Sequence, residues 1–272
     1  MIQLEGVWKV FSPEPATVIA KLRHDSTASL AAGEVAAVRG VDLTVDRGEL
    51  LCILGLSGCG KSTLLRMINR LVSPSDGRVR VENEDIATLD PAALRALRAK
   101  RIGMVFQSHA LIEHMTIHEN VALPQEILGV PRQRREARAE ELLSRLGLGG
   151  LGRHGISSLS GGMKQRVGLA RALAADPDIL LMDEPFSALD PLIRVELQDE
   201  FRRLSRELGK TTVFITHDVA EAFRIADRIA VMRLGKMEQI ATPGELLAAP
   251  ANEYVARFVG LGQSAFPSRQ ET

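Results

Sequence analysis

The feature that most constrains this chain is a glycine-rich segment placed directly after an apolar run. Residues 50–54 read Leu-Leu-Cys-Ile-Leu, and residues 55–62 read Gly-Leu-Ser-Gly-Cys-Gly-Lys-Ser, which matches G-x-x-x-x-G-K-[ST]. This pattern is typical of a phosphate-binding P-loop when a strand precedes it and a helix follows. We predict that strand at 50–54 and that helix at 61–71. A glycine-rich turn that matches by coincidence is the alternative.

The P-loop pattern predicts how an anion is held. Glycines let successive backbone N–H groups converge on phosphate oxygens, and the next helix points its positive N-terminus at the same place. Lys61 is expected to reach the β- and γ-phosphates and Ser62 to ligate Mg²⁺. We interpret Cys59 as a small filler rather than a reactive thiol. The predicted cofactor-binding residues here are Gly55, Leu56, Ser57, Gly58, Cys59, Gly60, Lys61, Ser62 and Thr63.

Strand-length apolar runs alternate with helical patterns along the chain, which predicts an α/β fold with a mainly parallel sheet. Further strands are predicted at 102–106, 179–182, 212–215 and 229–232. Further helices are predicted at 91–99, 163–175, 192–208 and 218–226. Residues 12–37 are expected to be loosely organised, and the polar tail at 262–272 to be disordered.

Residues 108–162 differ from the rest, because they read as helices and loops. Pro124 and Pro131 are predicted breaks, and a group of glycines at 147–152 is predicted to end a helix. We therefore predict a helical subdomain at 108–162, inserted into a discontinuous α/β core formed by residues 1–107 and 163–261.

Composition narrows the function classes. Lys+Arg and Asp+Glu both total 34, whereas a dedicated nucleic-acid binder usually carries a basic excess. The arginines at 132–138 are balanced by nearby glutamates, and we interpret them as one face of an amphipathic helix. The two cysteines fit a reducing compartment, and no run approaches the roughly 20 apolar residues that span a bilayer. We expect no signal peptide, so action at a membrane would require docking onto a spanning partner.

Polar side chains follow three of the predicted strands. Asp183 is expected to hold the Mg²⁺ shell, and Glu184 to orient or deprotonate an attacking water. His217 lies where ligands collect in open α/β sheets, so we predict a γ-phosphate contact. Gln107 is a candidate for contact with Mg²⁺ or the water. With Lys61, these form the predicted catalytic set. The alternatives are an acidic turn after a core strand for Asp183-Glu184 and a structural or solvated side chain for His217, and Gln107 by itself is a weak signal.

A second predicted anion site begins at Ser160, about 100 residues after the first. Residues 159–166 read Leu-Ser-Gly-Gly-Met-Lys-Gln-Arg and open a predicted helix with flexible backbone donors. One nucleotide could use both sites if two facing subunits brought them together. His114 and His118 are four residues apart, but no third ligand with matching spacing follows, so we predict no metal site there.

Taken together, these motifs resemble those of the ATP-binding-cassette (ABC) ATPases. The matching elements are residues 55–62, Gln107, Leu159 to Gln165, Asp183-Glu184, Ser187-Ala188-Leu189-Asp190 and His217. The resemblance implies a P-loop (RecA-like) core with an inserted helical subdomain and an antiparallel β region, and ATP with Mg²⁺ as cofactors. It implies that Phe11, in preference to Trp8, stacks on adenine and that Asp190 lies in a dimer-contacting loop. It also implies nucleotide contacts from a second subunit through Ser160, Gly161, Gly162 and Gln165.

Within that family the chain is similar to ATPase subunits of glycine betaine/proline betaine/choline importers. The similarity rests on Gly55-Leu56-Ser57-Gly58, Asn69-Arg70-Leu71, 104–108 with 114–116, 186–194, and a long insertion between Phe11 and Val38. It implies a homodimer, a transmembrane permease, indirect dependence on a binding protein, and a peripheral place on the cytoplasmic face of the inner membrane. Leu111, Ile112 and Met115 are the predicted permease contacts. Pro185 departs from some members, and no paired regulatory domains follow before residue 272.

Three other functions are alternatives. An importer ATPase for another small solute, such as an amino acid, shares most of these motifs. A soluble ABC protein acting on DNA or ribosomes would carry coiled coils, zinc modules or two cassettes, which this sequence lacks. A P-loop kinase or GTPase is disfavoured by residues 159–165. The sequence therefore predicts a transport ATPase and does not reveal the solute directly.

Overall fold

The structure is a computed structural model that describes residues 1–187 and 189–263, with the backbone alone from 261 to 263. Its strands are β1 Ile2–Phe11, β2 Val35–Val45, β3 Leu50–Leu54, β4 Asp76–Val81, β5 Glu84–Asp85, β6 Ile102–Val105, β7 Ile179–Asp183, β8 Thr211–Thr216, β9 Arg228–Arg233 and β10 Lys236–Ala241. Its α-helices are α1 Pro15–His24, α2 Lys61–Ile68, α3 Pro91–Arg101, α4 Ile117–Ile127, α5 Arg132–Arg145, α6 Gly161–Ala174, α7 Pro191–Glu207, α8 Val219–Ile225, α9 Pro243–Ala248 and α10 Glu253–Gln263. A 3-10 helix covers Ile156–Ser158.

The chain forms two compact units. The first contains Met1–Leu89 and the described residues from Ile215 onward, and the second contains Asp90–Phe214. The predicted subdomain at 108–162 lies within the second unit, and its boundaries with the α/β core stay a prediction. The predicted disordered tail lies mostly outside the described residues, but residues 262 and 263 belong to α10, so disorder from 262 was wrong. Among the described helices, none is long and apolar enough to cross a bilayer.

An antiparallel sheet with the order β2-β1-β4-β5 lies in the first unit. The register pairs Ile2 with Val45 at one end of β1 and Phe11 with Val35 at the other. Bulges interrupt this ladder, and buried side chains on β1 do not alternate strictly along the strand. The antiparallel β region implied by the family resemblance is therefore present.

The segment predicted to be loosely organised at 12–37 is instead ordered over much of its length. Helix α1 occupies Pro15–His24, and β2 begins at Val35. The prediction failed because Val18, Ile19 and Leu22 form an apolar stripe that packs, with Trp8 of β1, into one buried cluster. This contact supplies the stability that a ten-residue helix lacks by itself.

The parallel strands carry the predicted loops. In the first unit β3 pairs in parallel with β9, with Leu54 opposite Val231, and every residue of β3 is buried. In the second unit β6 pairs in parallel with β7, with Val105 opposite Met182, and β7 is also wholly buried. Strand β8 lies next to β7 in the strand order and ends in the first unit. Continuous burial is typical of parallel strands that are covered on both faces.

The helices between residues 108 and 162 correct one detail of the sequence analysis. Pro124 was predicted to break a helix but lies inside α4. A capping box between Thr116 and Glu119 fixes the start of α4, and the helix packs against α5 and α6. These contacts outweigh the one backbone hydrogen bond that proline removes. Pro131, by contrast, stands just before α5, and Gly147 follows its end with a φ of 68°.

Candidate functional site

The P-loop is the best-defined polar site of the first unit, and its glycines have a geometric reason. Gly60 caps the start of α2 with a φ of 106°, and a Cβ there would lie 2.0 Å from the Ala37 carbonyl oxygen. Gly58 has a φ of 78°. These are left-handed backbone conformations, which residues other than glycine rarely adopt. The loop can therefore bend backbone N–H groups toward one point, as the motif predicts.

Lys61 supplies the positive charge of this loop. Its side chain is only 5% exposed, and its Nζ donates to the carbonyl oxygens of Gly55 at 2.8 Å and Leu56 at 3.0 Å. An ammonium group has three N–H donors, so two bonds to neutral oxygens leave one donor and the charge for an anion. The lysine is thus held in place before any phosphate arrives.

Cys59 is a packing residue. It is 7% exposed, and its Sγ would lie 2.8 Å from a Cβ placed on Gly55. Burial raises the pKa of the Cys59 thiol, which disfavours the reactive thiolate at neutral pH. The predicted role as a small filler is consistent with this geometry.

His217 lies in the first unit at the carboxyl end of β8. The Gly55 N–H donates to the Thr216 carbonyl at 3.4 Å, so the start of the P-loop and the residue before His217 are adjacent. His217 is exposed. Asp218, the next residue, caps α8 by accepting from the Glu221 N–H at 3.2 Å. The imidazole therefore stands at the strand edge that also carries the P-loop.

Phe11 and Trp8 differ as candidates for stacking on a base. The Phe11 side chain is 46% exposed at the end of β1, with Lys9 Nζ 4.9 Å from the ring centre. Trp8 is 7% exposed and belongs to the cluster under α1. Only the Phe11 ring is accessible to a ligand, which favours the predicted choice.

In the second unit, parallel pairing of β6 with β7 brings Gln107 and Glu184 together. Gln107 Nε2 donates to Glu184 Oε2 across a long 3.4 Å contact. Glu184 has a φ of 45°, a conformation that is uncommon for a residue with a side chain. Ser187 Oγ donates to the Glu184 carbonyl at 3.0 Å and closes the turn. Asp183, the last residue of β7, is 3% exposed.

The second predicted anion site is the exposed start of α6. Ser160 caps the helix, since its Oγ accepts from the Met163 N–H at 3.3 Å. A Cβ on Gly162 would lie 2.9 Å from Ile193 Cγ2, so glycine lets α7 approach α6. Ser160 and Gly161 are exposed, whereas Gln165 is 4% exposed. Direct nucleotide contact by Gln165 stays a prediction that its burial disfavours.

Asp190 begins α7 in the same unit. Its Oδ1 accepts from the Leu192 N–H at 3.1 Å, and the residue is exposed. Ala188 of the predicted Ser187–Asp190 motif lies outside the described residues. The helix start is thus capped by a carboxylate that faces solvent, and its predicted contact with a second subunit stays a prediction.

The sequence analysis missed two positioning residues, Asn120 and Arg171. Asn120 is fully buried, accepts from the Ile112 N–H at 2.8 Å and donates to the Ile112 and Thr116 carbonyls at 3.0 Å each. Arg171 donates to the carbonyls of His109 and Ala110 at 2.8 and 2.6 Å. They hold the segment after Gln107. For Asn120, a polar residue among the apolar positions of a helix was the available signal.

Beside that segment lies an apolar cleft of about 280 Å³. Its lining includes Met104, Phe106, Leu123, Pro124, Ile127 and Arg171. Ile127 is 69% exposed.

Elsewhere in the second unit, His118 Nε2 is hydrogen-bonded to the Glu136 carbonyl at 3.0 Å. Within the described residues, no group of three or more His, Cys, Asp or Glu side chains could hold a metal ion.

A P-loop with a buried lysine, and a strand ending in Asp-Glu, define a P-loop nucleotide-binding protein. The ABC transporter family profile matches residues 38–187 of this chain. The chain belongs to the ABC transporter family. The family predicted from the motifs is confirmed.

Curated relatives agree with that membership. The chain is 48% identical to a trimethylamine N-oxide transport system ATP-binding protein of Ruegeria pomeroyi, over 95% of this chain and 76% of that protein. It is 48% identical to a glycine betaine transport ATP-binding protein of Bacillus subtilis, over 95% of this chain and 62% of that protein. It is 45% identical to a glycine betaine/proline betaine transport system ATP-binding protein of Escherichia coli, over 94% of this chain and 65% of that protein. The chain thus spans less than two thirds of the latter two.

Solved structures of ABC cassettes share the fold. A dimeric ATP-binding cassette in a post-hydrolysis state, bound to ADP and Pi, matches with a TM-score of 0.75 and 33% identity, over 89% of this chain and 98% of that chain. A dimeric bacterial ABC transporter cassette matches with a TM-score of 0.75 and 34% identity over the same shares. The predicted P-loop ABC ATPase fold is confirmed.

Proposed function

We propose that this chain is the ATP-hydrolysing subunit of an importer for quaternary amines and related small osmolytes. The observation that carries the proposal is the 48% identity, over 95% of the chain, to ATP-binding proteins for trimethylamine N-oxide and glycine betaine transport. A relative named for choline transport is 46% identical over 85% of the chain. Their named solutes share a compact, methylated nitrogen centre. Because one relative is named for trimethylamine N-oxide, the proposed solute class is broader than glycine betaine, proline betaine and choline.

The P-loop is the proposed ATP site. Lys61 would bind the β- and γ-phosphates with its remaining donor, while backbone N–H groups of the loop surround the phosphate oxygens. The relatives are named as ATP-binding proteins, and a structural neighbour holds ADP and phosphate. Phe11, with its half-exposed ring, would stack on the adenine.

Oxygen donors from three predicted positions suit Mg²⁺. Ser62, Asp183 and Gln107 offer a hydroxyl, a carboxylate and an amide, and hard oxygen ligands are the ones that this ion prefers. When bound, Mg²⁺ would neutralise charge that develops on the phosphate oxygens. Ser62 lies in the first turn of α2, Asp183 ends β7, and Gln107 follows the end of β6 by two residues.

Glu184 is the proposed base for the attacking water. Its carboxylate lies 3.4 Å from the Gln107 amide, which would hold it in one orientation. The water would give its proton to Glu184 as its oxygen attacks the γ-phosphorus and the bond to ADP breaks. His217, exposed at the strand edge next to the P-loop, would donate to the γ-phosphate oxygens.

A second copy of the chain is proposed to complete the site. The exposed start of α6, with Ser160 and Gly161, would contact the phosphates held by the P-loop of the partner. Two solved neighbours are dimers. Closure of the pair on ATP and its reopening after hydrolysis would supply the mechanical step of transport.

A permease is the proposed target of that step. The apolar cleft around Phe106, Leu123 and Ile127 would receive a short cytoplasmic helix of the permease. The residues Leu111, Ile112 and Met115 follow Ala110, which lines the cleft, and they are half-buried. Part of each side chain is therefore exposed for contact with the permease. The subunit would then lie peripherally on the cytoplasmic face of the inner membrane and depend on a binding protein only through the permease.

Reconstitution tests the solute assignment. The chain would be placed in liposomes with the permease and binding protein of its transport system, and ATP-driven uptake of labelled glycine betaine, choline and trimethylamine N-oxide would be measured. We expect uptake of at least one, abolished by Glu184→Gln. Uptake of an amino acid but of none of the three would favour the other importer class. Absence of ATP hydrolysis by the complete complex would contradict the ATPase assignment.

A further inference from the structure

An open groove lies beside the P-loop in the first unit. It has a cavity volume of about 910 Å³, and Leu56, Arg233 and Arg257 form part of its wall. Tyr254 and Phe258 of α10 also line it, and their rings are stacked with centres 5.6 Å apart. The groove therefore combines an aromatic floor with two arginines.

Several side chains in the groove are exposed, are held only by a weak ion pair or, among the residues described, lack a hydrogen-bond partner. Leu56 is 56% exposed. The Tyr254 hydroxyl oxygen is buried and, within the described part of the chain, has no hydrogen-bond partner. Arg233 stacks over the Tyr254 ring at 4.3 Å. Arg257 pairs with Glu253 at 3.7 Å with both side chains at least 80% exposed, a contact worth little in water. The groove thus suits a ligand that is apolar at one end and acidic at the other.

The start of α7, in the second unit, presents a surface of that composition. Leu192 is 77% exposed and Val195 is 42% exposed. Glu196 is exposed as well. Residues three and four positions apart lie on the same face of a helix, so Leu192 neighbours both Val195 and Glu196, and the three form one stripe with an apolar side and an acidic side. We call Leu192, Val195 and Glu196 the α7 stripe.

Each of the two surfaces adjoins a site that the proposed dimer brings together. The groove shares Leu56 with the P-loop. The start of α7 contacts the start of α6, because Ile193 Cγ2 would lie 2.9 Å from a Cβ on Gly162. If the P-loop of one copy meets the α6 start of the other, the groove and the α7 stripe lie at the border of the same interface. A two-fold dimer makes this contact twice.

We propose that the groove of each subunit receives the α7 stripe of a second copy. Leu192 and Val195 would cover Leu56 and the Tyr254–Phe258 rings, and Glu196 would pair with Arg257 or Arg233. This inference rests on the proposed ATP-driven dimer and names a contact in it that involves no nucleotide. It makes dimer closure depend on residues of α10 and α7 as well as on ATP.

Charge reversal tests the contact in a chain that also carries Glu184→Gln, so that ATP is bound without turnover. Arg257→Glu and Glu196→Arg are made singly and together, and the ATP-dependent dimer dissociation constant is measured by sedimentation velocity. We expect each single reversal to weaken the dimer about ten-fold and the double reversal to recover most of that loss, because the pair is restored with opposite sense.

The matched control is Arg132→Glu in the same background. Arg132 is also an exposed helical arginine, and it pairs with Glu136 four residues away, as Arg257 pairs with Glu253. We expect it to leave the dimer dissociation constant within about two-fold, since exposed pairs contribute little. A second readout uses cysteines: Arg257→Cys with Glu196→Cys is expected to give a covalent dimer under oxidation only with ATP.

The outcomes separate this inference from the proposed function. ATP-driven dimers that ignore both single reversals and form no cross-link would overturn the groove contact and leave the proposed function intact. A Glu184→Gln chain that stays monomeric at saturating ATP would overturn both. If the reversals act only while residues 264–272 are present, that segment and not a second copy occupies the groove, and the inference is wrong.

Discussion

The starts of α2 and α6 are both glycine-rich helix N-termini, yet they are built differently. At α2, a left-handed Gly60 caps the helix without a side-chain acceptor, and Lys61 is buried with its charge directed into the loop. At α6, the Ser160 hydroxyl already accepts from the Met163 N–H, and the first residues are exposed. The first terminus is therefore prepared for an anion, whereas the second has satisfied one of its donors by itself.

This difference indicates an order of events. A buried cation and converging donors can bind phosphate within one subunit. The free-energy cost of removing Lys61 from water arises on folding, so it does not weaken phosphate binding. An exposed, self-capped terminus offers its remaining N–H donors and a helix dipole worth about 0.3–1 kcal/mol at a surface, with no buried cation beside them in the described part of the unit. We therefore expect ATP to bind first at the P-loop, and the α6 start of the second copy to add to a site that is already occupied.

The largest expected effect is on hydrolysis, in a variant that leaves the starts of α2 and α6 unchanged. Glu184→Gln removes the proposed base but keeps the side-chain shape, so turnover should fall by about 10²–10⁴ while ATP binding is kept. Phosphate release and ATP titration measure the two. Glu140→Gln, on an exposed position of α5, is the control and should keep full turnover. Normal hydrolysis in the Glu184 variant would remove this residue from the mechanism.

The next prediction tests the P-loop as the site that acts alone. Lys61→Ala removes a charge-assisted contact worth roughly 1.5–3 kcal/mol, so ATP affinity should fall about ten- to hundred-fold in a dilute, monomeric sample. Isothermal titration measures it. Lys21→Ala, at an exposed helix end, is the matched control. If ATP binds the Lys61 variant as tightly as the unchanged chain, the preparation of this terminus for phosphate has been misread.

The sequence predicted the strand at 50–54 and the start of the helix at residue 61, because strand, loop and helix are contiguous, although α2 ends at Ile68 and not at residue 71. It predicted Asp183, Glu184 and His217 because they directly follow apolar strands. It missed α1, whose apolar face packs on Trp8 of β1, and it placed a break at Pro124 inside α4. Those features depend on packing between separate elements, which a local pattern does not contain.

The same limit explains the missed positioning residues. Asn120 and Arg171 act on carbonyl and amide groups 4 to 62 positions away in the sequence, and neither belongs to a recognisable motif. The Gln107–Glu184 contact was also not predictable from spacing, because 77 residues separate them. Parallel pairing of β6 with β7 creates it. Residue types could therefore be predicted, but their partners required the fold.

The α6 terminus should respond differently from the P-loop. Ser160→Asp keeps a good N-cap but places a negative charge where the partner's phosphate is proposed to lie. We expect unchanged ATP affinity in the monomer and a loss of turnover of about ten-fold in the dimer. Titration and a concentration-dependent ATPase assay measure them.

Ser160→Ala is the companion variant for that test. It removes the cap without adding charge and should lower the free energy of unfolding by about 1 kcal/mol, measured by urea denaturation. Weaker ATP binding by the Ser160→Asp monomer would show that the two termini are not used in the proposed order.

The smallest expected effect concerns Cys59. It tests whether the P-loop holds phosphate through backbone groups alone or also depends on a reactive thiol. Because burial raises the pKa of the Cys59 thiol, the thiolate becomes abundant only at higher pH. Alkylation by iodoacetamide at neutral pH should be roughly five-fold slower than at an exposed cysteine such as Ser26→Cys, and the gap should narrow as pH rises. Mass spectrometry of the modified peptides measures both rates. Equal rates at neutral pH would mean that Cys59 is accessible and reactive. That result would contradict its interpretation as a buried packing residue of the P-loop.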